Sequence, residues 1–98
     1  AMSVKGMQKR EPVLVADSAL ESAAIIACVS TDWVKLGGDT PKSAPLENGT
    51  MLVLGDRVPM LLVETTRIAT GTHVVMRQLK TFHAGSDRSR VDEVRACL

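Results

Sequence analysis

The chain has 98 residues, with 12 Lys and Arg against 11 Asp and Glu and a formal net charge of +1. That length fits one domain with a single core, and the balanced charge argues against a global electrostatic footprint for nucleic acid. Hydrophobic residues make up 45% of the chain, yet Trp33 and Phe82 are its only aromatics, so the core is aliphatic and platforms that stack single-stranded bases are disfavoured.

Cysteine use and hydropathy bound the setting. Cys28 lies in the apolar run Ile25-Ile26-Ala27-Cys28-Val29 and reads as a small buried hydrophobe. Cys97 is penultimate and reads as mobile. Two cysteines can pair, but they do not form a disulfide framework, and the expected setting is reducing and cytoplasmic. No secretory signal is visible, and no apolar run approaches the ~18 residues of a membrane span, so no membrane partner is expected. Ala1 reads as an addition ahead of a natural start at Met2.

Residues 1–11 lack a clear period and carry three basic side chains; they read as a flexible arm ahead of a single globular domain over 12–98. Pro12 to Ala16 reads as a short buried strand. Asp17 or Ser18 can cap a following helix, and Ser18 with Glu21 fits a capping box. Leu20, Ala23, Ala24 and Ala27 give one apolar face and predict a helix over about 18–29. Ile25 to Val29 suits a buried strand equally well, so a helix ending near 24 and a strand over 24–30 is an open alternative. A short element follows at Trp33 to Leu36. Residues 37–49, rich in Gly, Pro, Ser and Asn, read as a long loop, either disordered or functional.

The centre of the chain is more telling. Thr50 to Gly55 and Val58 to Thr65 are apolar runs around Gly55-Asp56, a two-residue hairpin signal. The second strand can continue through Ala69; Thr70-Gly71 then turns into a third strand over Thr72 to Leu79. The expected product is an antiparallel meander, with Pro59 at a strand start or edge. Met51-Leu52-Val53-Leu54 and Met60-Leu61-Leu62-Val63 are apolar at consecutive positions. Successive strand side chains point to opposite faces, so both faces of this sheet carry apolar surface that needs a cover. Ser86 or Ser89 can open a C-terminal helix with a narrow stripe of Val91, Val94 and Leu98. The expected fold is therefore α+β: a three- to five-stranded antiparallel sheet that can curl toward a barrel, one Ala-rich helix and a short C-terminal helix.

Two resemblances accompany these residues. Val13 to Ala19 resembles the apolar strand and Asp-Thr/Ser-Gly motif of retroviral-type aspartic proteases, but Ala19 stands at the glycine position and no second motif follows, so Asp17 is read as a helix cap. Val58 to Val63 and Ile68 to Val75 are similar to the strand-turn-strand spacing of SpoA-type domains in flagellar and type III secretion switch complexes, which implies an interlocked β dimer without enzymatic activity. The Ala-rich segment 18–29 and the loop after it depart from that pattern. The strand pattern is equally similar to small phage connector proteins, and no family is assigned.

No catalytic, cofactor-binding or metal-ligating residue is assigned. His73, His83, Cys28 and Cys97 show none of the short paired spacings of zinc sites, and Gly37-Gly38 lacks the Gly-Lys-Ser/Thr ending of a phosphate loop. The leading expectation is a non-enzymatic interaction or assembly module that self-associates, as a dimer, through a sheet face including Met51, Met60, Leu62 and Met76; methionine adapts to irregular contacts. The same surface suits another protein partner. A nucleic-acid module using Arg67, Arg77, Lys80, Arg88 and Arg90 is the second expectation. The third is a small enzyme with a site near loop 37–49 and His73 or His83.

Overall fold

The computed structural model describes residues 3–35, 40–55, 59–79 and 84–98, with the backbone alone for 84–89. In chain order the elements are α1 (Val4–Gln8), β1 (Leu14–Ser18), α2 (Ser22–Lys35), β2 (Lys42–Leu46), β3 (Gly49–Leu54), β4 (Leu61–Ile68), β5 (Gly71–Gln78) and α3 (Ala84–Ala96). The strands form one five-stranded sheet in the order β1-β5-β4-β3-β2, and every neighbouring pair is antiparallel. β1 and β2 are open edges, so the sheet does not close into a barrel.

The meander follows the expected pattern with small shifts of boundary. β3 to β5 are hydrogen-bonded neighbours, and Leu52, Val63 and Met76 stand in successive register across them. Gly71, at the end of the β4–β5 turn, has φ +147, and a Cβ there would lie 2.0 Å from the Ser18 carbonyl oxygen. Only glycine tolerates both conditions. The expected turn at Gly55-Asp56 falls partly outside the described residues.

The core lies on one face of the sheet. Leu14, Leu52, Leu61, Val63, Val74 and Met76 point from the strands into a cluster with Ile25, Val29 and Trp33 of α2 and with Val94 and Cys97 near the C-terminus. α2 is a helix throughout, which removes the alternative of a strand over 24–30, and it absorbs the separate short element expected at Trp33. Its buried face also differs from the expected one. Ile25, Val29 and Trp33, spaced by four, are fully or almost fully buried, whereas Leu20, Ala23, Ala24 and Ala27 are exposed. Large apolar side chains bury more area than alanines, so they set the rotation of the helix.

The expected cap is displaced as well. Asp17 and Ser18 belong to β1, and the Glu21 carbonyl accepts the amides of Ala24 and Ile25 at 3.1 and 3.2 Å to open α2. Ser18 Oγ instead accepts from Leu20 N at 3.1 Å and donates to the Leu98 carbonyl at 2.8 Å. The loop expected over 37–49 contains β2, an edge strand whose Lys42 and Pro45 had read as loop residues. The segment expected as a flexible arm contains α1: Ser3 accepts from Gly6 N at 3.1 Å as its cap, and Met7 is fully buried.

Cys28 and Cys97 form a disulfide across a sequence separation of 69, with Cα atoms 5.8 Å apart. Cys28 is exposed on α2, and Cys97 is buried rather than mobile. The bond ties the end of α3 to α2. This is a correction to both cysteine readings: spacing along the chain carries no information about two residues that meet only in the fold. Closing a loop of this length restricts the unfolded chain by about 4 kcal/mol in the chain-entropy model. Replacing Cys28 with Ser is therefore expected to lower the unfolding free energy by about 4 kcal/mol, measured by denaturant titration; a change below about 1 kcal/mol would show that the link contributes little.

Candidate functional site

The strand register divides the side chains between two faces. On the face opposite the core, Leu62 stands beside Val53 and Arg77, Glu64 beside Met51 and Val75, and Thr66 beside Gly49 and His73. β1 extends these rows with Val15 beside Val75 and Asp17 beside His73; β2 extends them with Ala44 beside Met51.

α1 covers part of this second face. Met7 and Leu62 are both fully buried, and both lie outside the main core cluster. A polar network fastens the helix beside them. Arg77 donates from Nη1 to Glu64 Oε1 at 2.5 Å and from Nε to the Arg10 carbonyl at 2.8 Å. Gln8 Nε2 donates to the second Glu64 oxygen at 3.0 Å. The Arg77 and Glu64 side chains are only 17% and 19% exposed, so solvent screens the pair less than it would on an open surface.

The four residues expected at an interface therefore separate. Met76 belongs to the core and Leu62 is buried within the chain. Met51 and Met60 are half-buried. At the β1 edge, Val13 is 41% exposed and Val15 54% exposed. Both lie in the short run Pro12 to Ala16, whose sequence looks like a buried strand. The signal available was Val15 itself: alternation along β1 puts it on the face opposite Leu14 and Ala16.

The two sheet edges differ in chemistry. β2 carries Lys42 and Pro45, both exposed, and such residues discourage pairing with another chain. β1, Leu-Val-Ala-Asp-Ser, has neither Lys nor Pro, and its one charged side chain, the exposed Asp17, is paired with His73.

The basic residues do not converge. Arg67 is in register with Thr72 and belongs to the core-side rows, whereas Arg77 is in register with Leu62 on the second face. The five residue steps from Leu62 to Arg67 correspond to ~17 Å of strand. Arg90 pairs with Glu93 at 3.3 Å. Lys80 and the Arg88 side chain lie outside the described residues.

Arg67 borders a cleft of about 680 Å3 at one end of the sheet, where Leu20 and Ser22 at the start of α2 face the Glu47-Asn48 turn and the β4–β5 turn. A hydrogen-bonded cluster lies beside this end. Thr65 donates its hydroxyl to the Thr50 carbonyl at 2.8 Å and accepts from Thr50 N at 3.0 Å. Its one proton is then used, so Ser22 donates to Thr65. His73 does not line the cleft; its Nδ1 lies 2.6 Å from Asp17 Oδ1 on the second face. His83 lies outside the described residues. Of loop 37–49, expected to share an active site with His73 or His83, residues 46–49 line this cleft while His73 does not, and residues 37–39 lie outside the described residues.

Among the described residues, no helix is long and apolar enough to cross a membrane. Comparison with protein-family models, with curated proteins and with solved structures finds no match to this chain.

The Arg77 network makes a specific prediction. Arg77→Met keeps the length of the side chain but leaves Glu64 without its cation and the Arg10 carbonyl without its donor. Stability is expected to fall by about 1–3 kcal/mol, with faster hydrogen exchange at the Met7 and Arg10 amides and little change in β4. Unchanged exchange at these two amides would show that other contacts hold α1.

Proposed function

We propose that the protein is a non-enzymatic assembly module that self-associates through β1 and the neighbouring second face of the sheet. The observation that carries this reading is the contrast between the two edges: β2 is guarded by Lys42 and Pro45, while β1 exposes Val13 and Val15 beside an open row of backbone groups. An edge strand without Lys or Pro is a template for another strand. A second copy is the simplest partner, because antiparallel pairing of β1 with itself about a two-fold axis satisfies both edges at once. It would also join the apolar row of Val15 and Val75 to its counterpart in the second copy.

The interface proposed here is centred on Val13 and Val15, with Met51 and Met60 further along the surface and Leu62 and Met76 acting from within. The dispersal of Arg67, Arg77 and Arg90 gives a nucleic-acid reading less support. The disulfide bears on location: such bonds persist mainly in oxidising compartments, so it favours an oxidising compartment over the cytoplasmic setting expected from two reduced cysteines.

Sedimentation equilibrium of the wild type and of Val15→Lys tests the reading. The wild type is expected to dimerise. Two lysines brought together across a two-fold axis should weaken association by more than ~10-fold, since like charges in an interface cost several kcal/mol, while the monomer keeps its circular dichroism spectrum. A wild type that stays monomeric at high concentration, or a Val15→Lys variant that dimerises as before, would overturn the proposal.

A further inference from the structure

The cysteine cluster holds a third group. Cys28 and Asp32 are one turn apart on α2, a spacing that places side chains on the same helix face, and Cys97 meets them from the C-terminal end. The candidate ligand atoms of these three residues lie within 4.8 Å of one another. Asp32 Oδ2 is 3.6 Å from Cys97 Sγ. In the disulfide that sulfur carries no proton, so the contact is an approach of a carboxylate to sulfur and not a hydrogen bond.

We propose that the reduced protein binds one Zn2+ ion through Cys28 Sγ, Cys97 Sγ and an Asp32 carboxylate oxygen. Tetrahedral zinc has bonds of about 2.3 Å to sulfur and about 2.0–2.2 Å to carboxylate oxygen, which places neighbouring ligand atoms about 3.6–3.8 Å apart. Cys97 Sγ and Asp32 Oδ2 already have that separation. The two sulfurs reach it once the covalent bond between them is gone. Two thiolates and a carboxylate select a borderline-soft cation over Mg2+ or Ca2+, which take oxygen ligands. The fourth position is left to water, as at other three-ligand zinc sites.

Entry into this state requires a dithiol reductant. Cys28 is exposed and Cys97 buried, so a thiolate of the reductant attacks Cys28 Sγ. A mixed disulfide forms at Cys28, the Cys28–Cys97 bond breaks, and Cys97 leaves as a thiolate. The second thiolate of the reductant then attacks its own sulfur in the mixed disulfide and releases Cys28. Two electrons pass to the protein sulfurs, and the reductant becomes a disulfide. Metal binding completes the loss of the thiol protons to water. The end of α3 is thereby held to α2 by a covalent bond in one state and by a metal in the other.

The test is titration of the full chain, reduced and kept free of oxygen, with Co2+ as a spectroscopic substitute. The expected result is thiolate-to-cobalt charge-transfer absorption that saturates at one equivalent and is displaced by Zn2+. The oxidised protein should show none. Asp32→Asn should weaken binding by at least ~10-fold, a loss that even outer-shell changes cause at metal sites, whereas an adventitious two-thiol site would be indifferent to it. If the reduced chain unfolds without metal, stoichiometric Zn2+ should restore its circular dichroism spectrum. Absence of the charge-transfer band in folded reduced protein, failure of Zn2+ to restore an unfolded one, or unchanged affinity in Asp32→Asn would each overturn the proposal.

Discussion

The constraint on which this structure depends is the run of consecutive apolar residues in β4. Leu61, Leu62 and Val63 are all fully buried, although strand geometry sends Leu62 to the face opposite its neighbours. A strand of this kind cannot lie at a half-wet sheet. α2 covers the Leu61 and Val63 side with a helix-long stripe of Ile25, Val29 and Trp33. Among the described residues, the helix on the Leu62 side is α1, five residues with one buried side chain, Met7. So small a helix buries little area, and the Arg77–Glu64–Gln8 network supplies the remaining attachment.

The two chain ends thus do comparable work on opposite faces. The N-terminal helix is held on the second face by a charged network, while the C-terminal segment is held on the core side by the disulfide, by Val94 and by the Ser18 bond to the Leu98 carbonyl. Both devices compensate for limited apolar area, as expected of a domain this small. The difference between the faces has a consequence. The core side is covered by α2 together with Val94 and Cys97, whereas α1 leaves the β1 edge of the second face exposed at Val13 and Val15. Association through that edge would extend the cover which the chain begins.

How much of this could be read from the sequence depends on how local the signal is. β3, β4 and β5 were visible because their apolar runs and the Gly71 turn are contiguous. The existence of α2 was visible from its alanines, but its orientation was not: the alanine pattern competes with Ile25, Val29 and Trp33, and only the sheet decides which face is buried. β2 was hidden because Lys42 and Pro45, which suit an edge strand, are also loop residues. α1 was hidden because five residues give too short a window for periodicity. The polar network on the second face and the Cys28–Asp32–Cys97 cluster were beyond reach, since each joins residues from distant parts of the chain. Met76 and Leu62 have the right chemistry for a contact surface, but Met76 packs in the core cluster and Leu62 is fully buried within the chain, which no local pattern shows.

Amide hydrogen exchange, resolved to single residues and followed as protein concentration rises, tests most directly the claim that the second face is partly covered by α1 yet open at β1. The account predicts that protection increases in Leu14–Ser18 with concentration, while Lys42–Leu46 on the opposite edge and the α1 amides do not respond. Protection that is independent of concentration in β1, or that rises instead along β2, would contradict it.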